Sequence, residues 1–151
     1  MIYGKPGCGK TITVKKIINQ LFVKDKNTIF INLNAMNFKN PFEIFNEIYY
    51  ELTHSKKKVD IESLKDDISN FEKNTIIMID EIDSLFLKTV ANQDRILEFF
   101  KLSNLTNPKM MVLGVSNSNM YYALLSSNDL SSKEIQTNPI PFLKNSKNQK
   151  F

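Results

Sequence analysis

The chain has 151 residues, of which 42% are hydrophobic and 24% are charged, and this composition predicts one soluble globular domain and excludes a disordered or fibrous protein. The net charge of +4 comes almost wholly from lysine. It favours nucleic acid or acidic partners only weakly, because an excess of Lys, Asn and Ile is also typical of A/T-rich codons. No apolar run approaches the roughly 20 residues that span a bilayer, so no membrane contact is predicted.

The first part of the chain alternates strand and helix patterns. Met1 to Tyr3 can form only the end of a strand, and residues 28–33 are a short β-rich run that predicts a buried strand. Between them, apolar side chains recur at positions i, i+3, i+4 and i+7, which predicts a helix. The apolar face of this helix consists of Val14, Ile17, Ile18 and Leu21.

Two further helices are predicted from the residues at their starts. Asn40, Pro41 and Glu43 supply a cap, a first helical residue and an acid in the first turn. The buried stripe of this helix is predicted to be Phe42, Phe45, Tyr49 and Leu52. Asp60 can cap the second helix. Its inward side chains are predicted to be Ile61, Leu64, Ile68 and Phe71.

Two apolar segments complete the predicted sheet. Residues 75–79 are nearly continuously apolar, as expected of a central parallel strand, and residues 110–115 predict another buried strand. A helix around residues 94–102 joins them, with Phe99 and Phe100 in the core. Because strands alternate with helices, the sequence predicts an α/β fold with a parallel sheet.

The last part of the chain has a different composition. Residues 126–150 are rich in Ser, Asn and Lys, and they contain two prolines and little periodicity. These features predict a mostly disordered tail. We therefore expect two parts in the chain: a partial domain in residues 1–122 and a tail in residues 123–151.

Residues 4–11 match the phosphate-binding pattern G-x-x-x-x-G-K-[ST] completely. Glycines let the backbone bend so that successive N–H groups point at phosphate oxygens, and the following helix adds its positive end. Lys10 is predicted to reach the β- and γ-phosphates, and the Thr11 hydroxyl to bind Mg²⁺. A chance Gly-rich turn is less consistent with the strand before the motif and the helix after it. The predicted nucleotide-binding residues are Gly4, Lys5, Pro6, Gly7, Cys8, Gly9, Lys10 and Thr11.

Polar residues follow two of the predicted strands. Asp80 is predicted to hold Mg²⁺ directly or through water, and Glu81 to orient and polarise the attacking water as general base. Asp83 is interpreted equally well as a helix cap and as a catalytic residue. Asn117, after the next strand, is our candidate for a hydrogen bond to the γ-phosphate or the attacking water, and its alternative is a simple turn residue.

Three other features give weaker signals. Cys8 is the only cysteine, so an intramolecular disulfide is excluded and a reducing compartment is favoured. Because Cys8 occupies a variable position of the motif, we interpret it as a residue without a chemical role in the loop in preference to a reactive thiol. His54 has no His or Cys partners for a metal and is predicted to lie on the surface. The run Lys56–Lys58 is more typical of a solvated linker than of a DNA contact.

Together these motifs resemble those of the AAA+ ATPases, including the Walker A loop in residues 4–11 and the Walker B strand that ends in Asp80 and Glu81. Two subfamilies compete. Residues 6–11 and 79–85 alone also look like protein unfoldases and microtubule-severing enzymes. Residues 28–52 are instead similar to the origin-recognition and cell-division-cycle initiator family, in which a strand ending in Ile-Asn-x-x-Met precedes a helix begun by proline.

The resemblance implies a P-loop three-layer α/β sandwich with strand order 1-4-3-2, truncated and without a lid domain. It implies a nuclear, ATP- and Mg²⁺-dependent subunit of a ring-like replication initiator that engages origin DNA, other AAA+ initiator subunits and the replicative helicase. By position, Lys10 and Thr11 fall on its phosphate and magnesium residues. Asp80 and Glu81 fall on the magnesium ligand and base, and Asn117 on the first sensor.

The chain also departs from the family pattern. It begins too late to include the residues that hold adenine, and no arginine follows Asn119 to serve as a finger or second sensor. A fragment, or a gene model cut at both ends, is therefore expected. Two alternatives stay open: a scaffold subunit that binds nucleotide without hydrolysing it, and a protein-remodelling ATPase. The second ranks lower because residues 34–40 offer Phe38 without an aromatic–glycine pair for a pore loop.

Overall fold

The computed structural model of the chain describes residues 1–21, 25, 27–69, 71–105, 110–118 and 140–141. Within these ranges, no helix combines the length and apolarity that crossing a bilayer requires. Most of the predicted tail, including residues 123–139 and 142–151, lies outside the described residues. The predicted division of the chain at residue 122 therefore stays a prediction.

Within these described ranges the sheet has five strands in the order β2-β3-β4-β1-β5, and every pairing between neighbours is parallel. Their bounds are β1 Ile2–Tyr3, β2 Thr28–Asn34, β3 Asn74–Asp80, β4 Met110–Ser116 and β5 Ile140–Pro141. The predicted order 1-4-3-2 is confirmed. The pairing of Ile140 with Ile2, which places β5 on the far side of β1, was not predicted from the sequence.

Helices cover both faces of this sheet. Their bounds are α1 Lys10–Leu21, α2 Pro41–Thr53, α3 Ile61–Ser69, α4 Asp83–Phe86 and α5 Val90–Leu105. Alternate residues of a strand point to opposite faces. Ile77 and Ile79 therefore pack with α2, α3 and α5, whereas Ile76 and Met78 pack with α1. The result is the predicted three-layer α/β sandwich.

The start of α2 follows the predicted capping pattern. The Asn40 side chain accepts a hydrogen bond from the Glu43 N–H at 3.2 Å, and a Glu43 carboxylate oxygen accepts one from the Lys39 N–H at 2.8 Å. The first bond satisfies an N–H in the first turn that has no partner within the helix, and the second satisfies the N–H of the residue before the cap. At the other end His54 is exposed and adopts the left-handed backbone with φ 55°, which ends the helix.

Several predicted inward side chains lie on the surface instead. Ile17 and Leu21 are 47% and 64% exposed, because α1 meets the sheet only through its narrow stripe of Val14 and Ile18. Phe42, at 36% exposed, turns its ring to the guanidinium of Arg95, whose carbon lies 4.3 Å from the ring centroid. The prediction of inward packing was therefore wrong for these three residues.

Other element boundaries also differ from the prediction. The helix after β3 begins at Val90 instead of near residue 94, and the short helix α4 precedes it. Phe71 lies beyond α3, which ends at Ser69. The Phe71 N–H closes the turn on the Ile68 carbonyl at 3.0 Å. The periodic pattern did not predict α4 because a helix of four residues is shorter than the window that such a pattern needs.

Candidate functional site

The phosphate loop lies between β1 and α1, at the edge where the strands end. Gly7 and Gly9 have φ values of 72° and 91°, in the left-handed region that a residue without a Cβ enters at little cost. The Gly4 N–H donates to the Ser116 carbonyl at 3.3 Å and joins the loop to the end of β4. The bends at Gly7 and Gly9 therefore give the loop its turn into α1.

Lys10 is the first residue of α1 and is only 6% exposed. Its ammonium Nζ lies 2.8 Å from the Gly4 carbonyl oxygen, 3.1 Å from that of Lys5 and 2.9 Å from the Asn117 Oδ1. An ammonium carries three N–H donors, so these three oxygens satisfy it where little water reaches. The loop therefore encloses a positive charge beside its own backbone N–H groups, as an anion site requires.

Thr11 and Asp80 form the second part of the site. The Thr11 hydroxyl donates to the Asp80 Oδ2 at 2.7 Å, because the first turn of α1 lies over the end of β3. Hydroxyl and carboxylate oxygens are the ligands that Mg²⁺ prefers, usually one or two from the protein with waters and phosphate oxygens completing the shell. No set of three His, Cys, Asp or Glu side chains suited to a metal occurs in the described ranges. The pair fits Mg²⁺ bound together with a phosphate.

Glu81 follows Asp80 with a left-handed backbone, φ 52°, which is uncommon for a residue with a side chain. Its N–H donates to the Asp80 Oδ1 at 3.0 Å, and its carboxylate accepts a hydrogen bond from the Asn117 amide. Burial raises the pKa of the Glu81 carboxyl, and the negative charges of Asp80 and Asp83 raise it further, against smaller opposing effects of Lys10 and Asn117. A carboxyl with a raised pKa is a stronger proton acceptor once ionised.

Asn117 joins the two halves of the site. The two ends of its amide bind opposite charges, with Oδ1 on the Lys10 ammonium and Nδ2 on the Glu81 carboxylate. The residues of the site lie at the start of α1, at the end of β3 and directly after β4. Parallel pairing of β1, β4 and β3 places these three segments at one edge of the sheet. Lys10, Thr11, Asp80, Glu81 and Asn117 thus form one connected hydrogen-bonded group.

Asp83 does not take the first of its two predicted roles, that of a helix cap, and its predicted catalytic role is not tested by this geometry. It is the first residue of α4, and the capping position is Ile82, which has no side-chain capping bond. The Asp83 Oδ1 instead accepts the backbone N–H of Asn117 at 3.4 Å. Sequence reasoning missed this contact, because nothing in the spacing of the two residues shows that the turn after β3 meets the turn after β4.

The remaining predicted residues are peripheral to this group. Lys5 and Pro6 are exposed, and Lys5 takes part through its carbonyl. The partly buried Cys8 thiol lies 3.9 Å from the Lys10 Nζ. The exposed lysine run, residues 56–58, lines a surface cavity of about 370 Å³ together with Asn46, Glu47 and Tyr50 of α2. None of these side chains forms a hydrogen bond with Thr11, Asp80 or Glu81.

A glycine-rich loop between the first strand and a helix, with an acidic pair at the end of another parallel strand of the same sheet, defines the P-loop class of nucleotide-binding proteins. Within this class, the sequence model of the ATPase family associated with various cellular activities (AAA) matches residues 1–137. The chain belongs to this family. The match extends beyond residue 122, where the sequence analysis places the end of the domain.

Replication initiators are among the proteins most similar to this chain. The chain is 31% identical over 136 residues to origin recognition complex subunit 1 of Dictyostelium discoideum. The aligned region covers 77% of this chain and 21% of that protein. The chain is also 28% identical over 146 residues to the ORC1-type DNA replication protein of Thermococcus kodakarensis. Here the aligned region covers 87% of this chain and 35% of that protein. The chain thus spans about a fifth to a third of these relatives, and the predicted resemblance to the initiator family is confirmed.

The fold has a solved counterpart in the Aeropyrum pernix ORC1 protein in complex with DNA. The TM-score is 0.71 with 19% sequence identity, over 94% of this chain and 38% of that chain. At this identity the likeness concerns the fold, and it supports the parallel three-layer arrangement described above. The AAA module of this chain therefore has both the sequence pattern and the architecture of initiator ATPase cores.

Proposed function

We propose that this chain is the ATP-binding and ATP-hydrolysing core of a DNA replication initiator. The observation that supports hydrolysis is the connected group of Lys10, Asp80, Glu81 and Asn117, in which a cation, a metal-type carboxylate, a base and a polar amide share one edge of the sheet. The similarity to origin recognition subunits supports the replication role. Adenine is proposed as the base from that similarity alone.

Binding starts at the loop. The Lys10 ammonium exchanges the carbonyl oxygens of Gly4 and Lys5 for oxygens of the β- and γ-phosphates, while loop N–H groups hold the remaining phosphate oxygens. Thr11 and Asp80 supply the oxygens that would hold Mg²⁺, which when bound neutralises part of the phosphate charge. Thr11 and Asp80 already lie side by side, so little movement of these two side chains is needed for binding.

Hydrolysis then follows from the positions of Glu81 and Asn117. The Glu81 carboxylate accepts a proton from a water molecule as the water oxygen bonds to the γ-phosphorus. The bond from that phosphorus to the bridging oxygen breaks, and ADP and phosphate leave. The Asn117 amide orients the water or the γ-phosphate. These assignments give Glu81 and Asn117 the catalytic roles and Lys10 the phosphate-binding role.

The partners are proposed from the relatives. One relative is a subunit of an origin recognition complex, and the solved ORC1 counterpart is in complex with DNA, so we assign this chain other AAA+ initiator subunits and origin DNA. The replicative helicase is proposed from the resemblance to the initiator family alone. A nuclear location follows for a eukaryotic source, whereas the archaeal relative shows that the module is not confined to nuclei. DNA contact is assigned chiefly to parts of the initiator outside this chain.

Three variants test the proposal in one assay series. Lys10→Ala should weaken ATP binding about 100-fold, because it removes a buried charge that pairs with phosphate. Glu81→Gln should bind ATP with Mg²⁺ normally and stop phosphate release. Lys16→Ala, an exposed lysine on the same helix, is the matched control and should behave as wild type. Equal ATP affinity in wild type and Lys10→Ala would disprove the assignment.

A non-hydrolysing scaffold subunit is the second candidate, and one observation favours it. Arg95 is the only arginine of the chain, and its guanidinium stacks on Phe42, in α2, instead of entering the phosphate site. Many P-loop ATPases need an arginine beside the γ-phosphate, often from a neighbouring subunit. Bound ATP that stays intact for hours, even after initiator partners are added, would select the scaffold over the hydrolase.

A further inference from the structure

The turn after β4, residues 116–118, determines where the Asn117 amide points. Within the turn, the Ser116 hydroxyl donates to the Ser118 carbonyl at 2.8 Å and accepts the Ser118 N–H at 3.1 Å. Ser116 is almost fully buried, so these bonds are shielded from water. They fix the shape of the turn, but they do not fix its position relative to Glu81, which lies on another element.

Besides the bond between the Asn117 amide and Glu81, two contacts tie this turn and the end of β4 to the segment after β3. The Ile82 N–H donates to the Val115 carbonyl at 3.1 Å, and the Asn117 N–H donates to the Asp83 Oδ1 at 3.4 Å. The left-handed backbone of Glu81 turns the chain so that α4 begins against the end of β4. In the described part of the chain, Asp83 is the one residue whose side chain binds the Asn117 backbone from outside the turn.

We propose that Asp83 is a positioning residue for ATP hydrolysis, which holds the Asn117 backbone so that its side-chain amide spans Lys10 and Glu81. This inference rests on the proposed ATPase function. Asp83 itself forms no hydrogen bond with Lys10 or Thr11 and acts through Asn117. A distance of 3.4 Å is long for an N–H···O bond, and such bonds commonly shorten when the substrate complex forms.

The negative charge of Asp83 also affects its surroundings. The charge of its carboxylate helps to raise the pKa of the Glu81 carboxyl, after burial and the charge of Asp80. An acid in the first turn of a helix interacts favourably with the helix N-terminus, so a purely structural role for Asp83 predicts only lower stability when it is removed. A positioning role predicts in addition a loss of turnover with nucleotide binding preserved.

The test compares Asp83→Ala with Asp83→Asn, in the full chain with ATP and Mg²⁺. Asp83→Ala removes the acceptor and should lower kcat between about tenfold and 100-fold, because a small misplacement of a catalytic amide is costly, while KM changes less than about twofold. Asp83→Asn keeps an acceptor oxygen and should stay within about threefold of wild type. The matched controls are Asp94→Ala and Asp94→Asn, at an exposed aspartate of α5.

A double-mutant cycle separates action through Asn117 from an independent effect. If Asp83 acts through Asn117, Asp83→Ala should add less than about twofold to the loss in kcat already caused by Asn117→Ala. Multiplicative losses in the double variant would overturn the inference, as would an Asp83→Ala enzyme with the kcat of Asp94→Ala. Where Asp83→Ala does not fold, Asp83→Ser takes its place, because its hydroxyl is too short to reach the Asn117 N–H.

A spectroscopic measurement distinguishes failure of this inference from failure of the ATPase proposal. The backbone amide resonance of Asn117 in nucleotide-free protein should shift in Asp83→Ala, return toward wild type in Asp83→Asn and stay unchanged in Asp94→Ala. If wild type releases no phosphate, the ATPase proposal fails, and this resonance still decides whether Asp83 holds Asn117. An Asn117 resonance that is the same in wild type and Asp83→Ala would overturn the positioning role.

Discussion

The two faces of the sheet differ in how they are packed. Helices α2, α3 and α5 cover one face and bury a large apolar cluster that includes Phe45, Ile77 and Phe99. The other face is covered by α1, which contacts the sheet through Val14 and Ile18 alone among its buried apolar residues. We call these the broad face and the α1 face.

The α1 face is the smaller one, yet it holds the helix that begins with the phosphate-binding residues. Lys10 and Thr11 are the first two residues of α1, so the position of this helix on the sheet sets the position of the phosphate site. Because apolar burial is the main source of stability, most of it should come from the broad face. Changes on the broad face should therefore affect stability alone, and changes on the α1 face should affect stability and nucleotide affinity together.

The largest effect is expected at the centre of the broad face. Phe45 is 1% exposed and packs on Phe99, with 5.3 Å between the ring centroids. Phe45→Ala should lower the free energy of unfolding by about 3–5 kcal/mol, because it removes a buried ring and leaves a cavity. Chemical denaturation measures the loss. Phe42→Ala, one turn earlier on the surface, is the control, and similar losses in both variants would contradict the comparison.

A smaller loss of stability is expected where β4 faces α5. A Cβ at Gly114 would lie 2.8 Å from the Cζ of Phe100, closer than packed atoms approach. Gly114→Ala should lower the free energy of unfolding by about 1–3 kcal/mol through overpacking. Adding Phe100→Leu should make the double variant more stable than the sum of the two single losses predicts. If the two losses in the free energy of unfolding simply add in the double variant, the contact with Phe100 is not the source of the strain.

The α1 face offers a matched pair of neighbouring residues. Ile18→Val should lower the free energy of unfolding by about 0.5–1.5 kcal/mol, because Ile18 is buried against the sheet. It should also weaken ATP binding measurably, since α1 becomes less firmly held. Ile17→Val makes the same chemical change at an exposed position and should alter neither quantity. Unchanged ATP affinity in Ile18→Val, measured by titration calorimetry, would remove the link between this face and the phosphate site.

The smallest effect is expected at an exposed helix start on the broad face. Asp60 precedes α3 and accepts the Ser63 N–H at 2.8 Å, and this hydrogen bond holds the pKa of Asp60 below its usual value. A lowered pKa in the folded state means stability that is present above the unfolded pKa and lost as the pH falls through the folded pKa. Asp60→Ala should therefore lower Tm near neutral pH.

The pH dependence gives this prediction its control. The Tm difference between wild type and Asp60→Ala should shrink as the pH is lowered from about 6 to 3, because wild-type Asp60 becomes protonated. Asp60→Asn, which can still accept the Ser63 N–H, should lose less Tm at neutral pH. A Tm difference that is the same at both pH values would mean that the Asp60 charge has no part in holding the helix.

Patterns within single elements predicted much of this molecule. The phosphate loop, the apolar run before Asp80 and the Asn40 cap were each recognised from a few neighbouring residues, because loop geometry and capping depend on local backbone chemistry. Inward packing was predicted less well. Ile17 and Leu21 fit the helical period but lie outside the narrow contact of α1 with the sheet. A helical period in the sequence indicates which face of a helix can be buried, and the contact with the sheet decides how wide the buried part of that face is.

The sequence by itself determined the residue types of the site: a lysine and a threonine after a glycine-rich loop, two acids after one strand and an asparagine after another. Only the tertiary structure decided how they connect. Asn117 binds Lys10, more than a hundred positions away in the chain, and Asp83 accepts the Asn117 backbone N–H instead of capping α4. The physical reason is that parallel pairing brings strand ends together whatever their separation in sequence, and no local pattern encodes which end meets which.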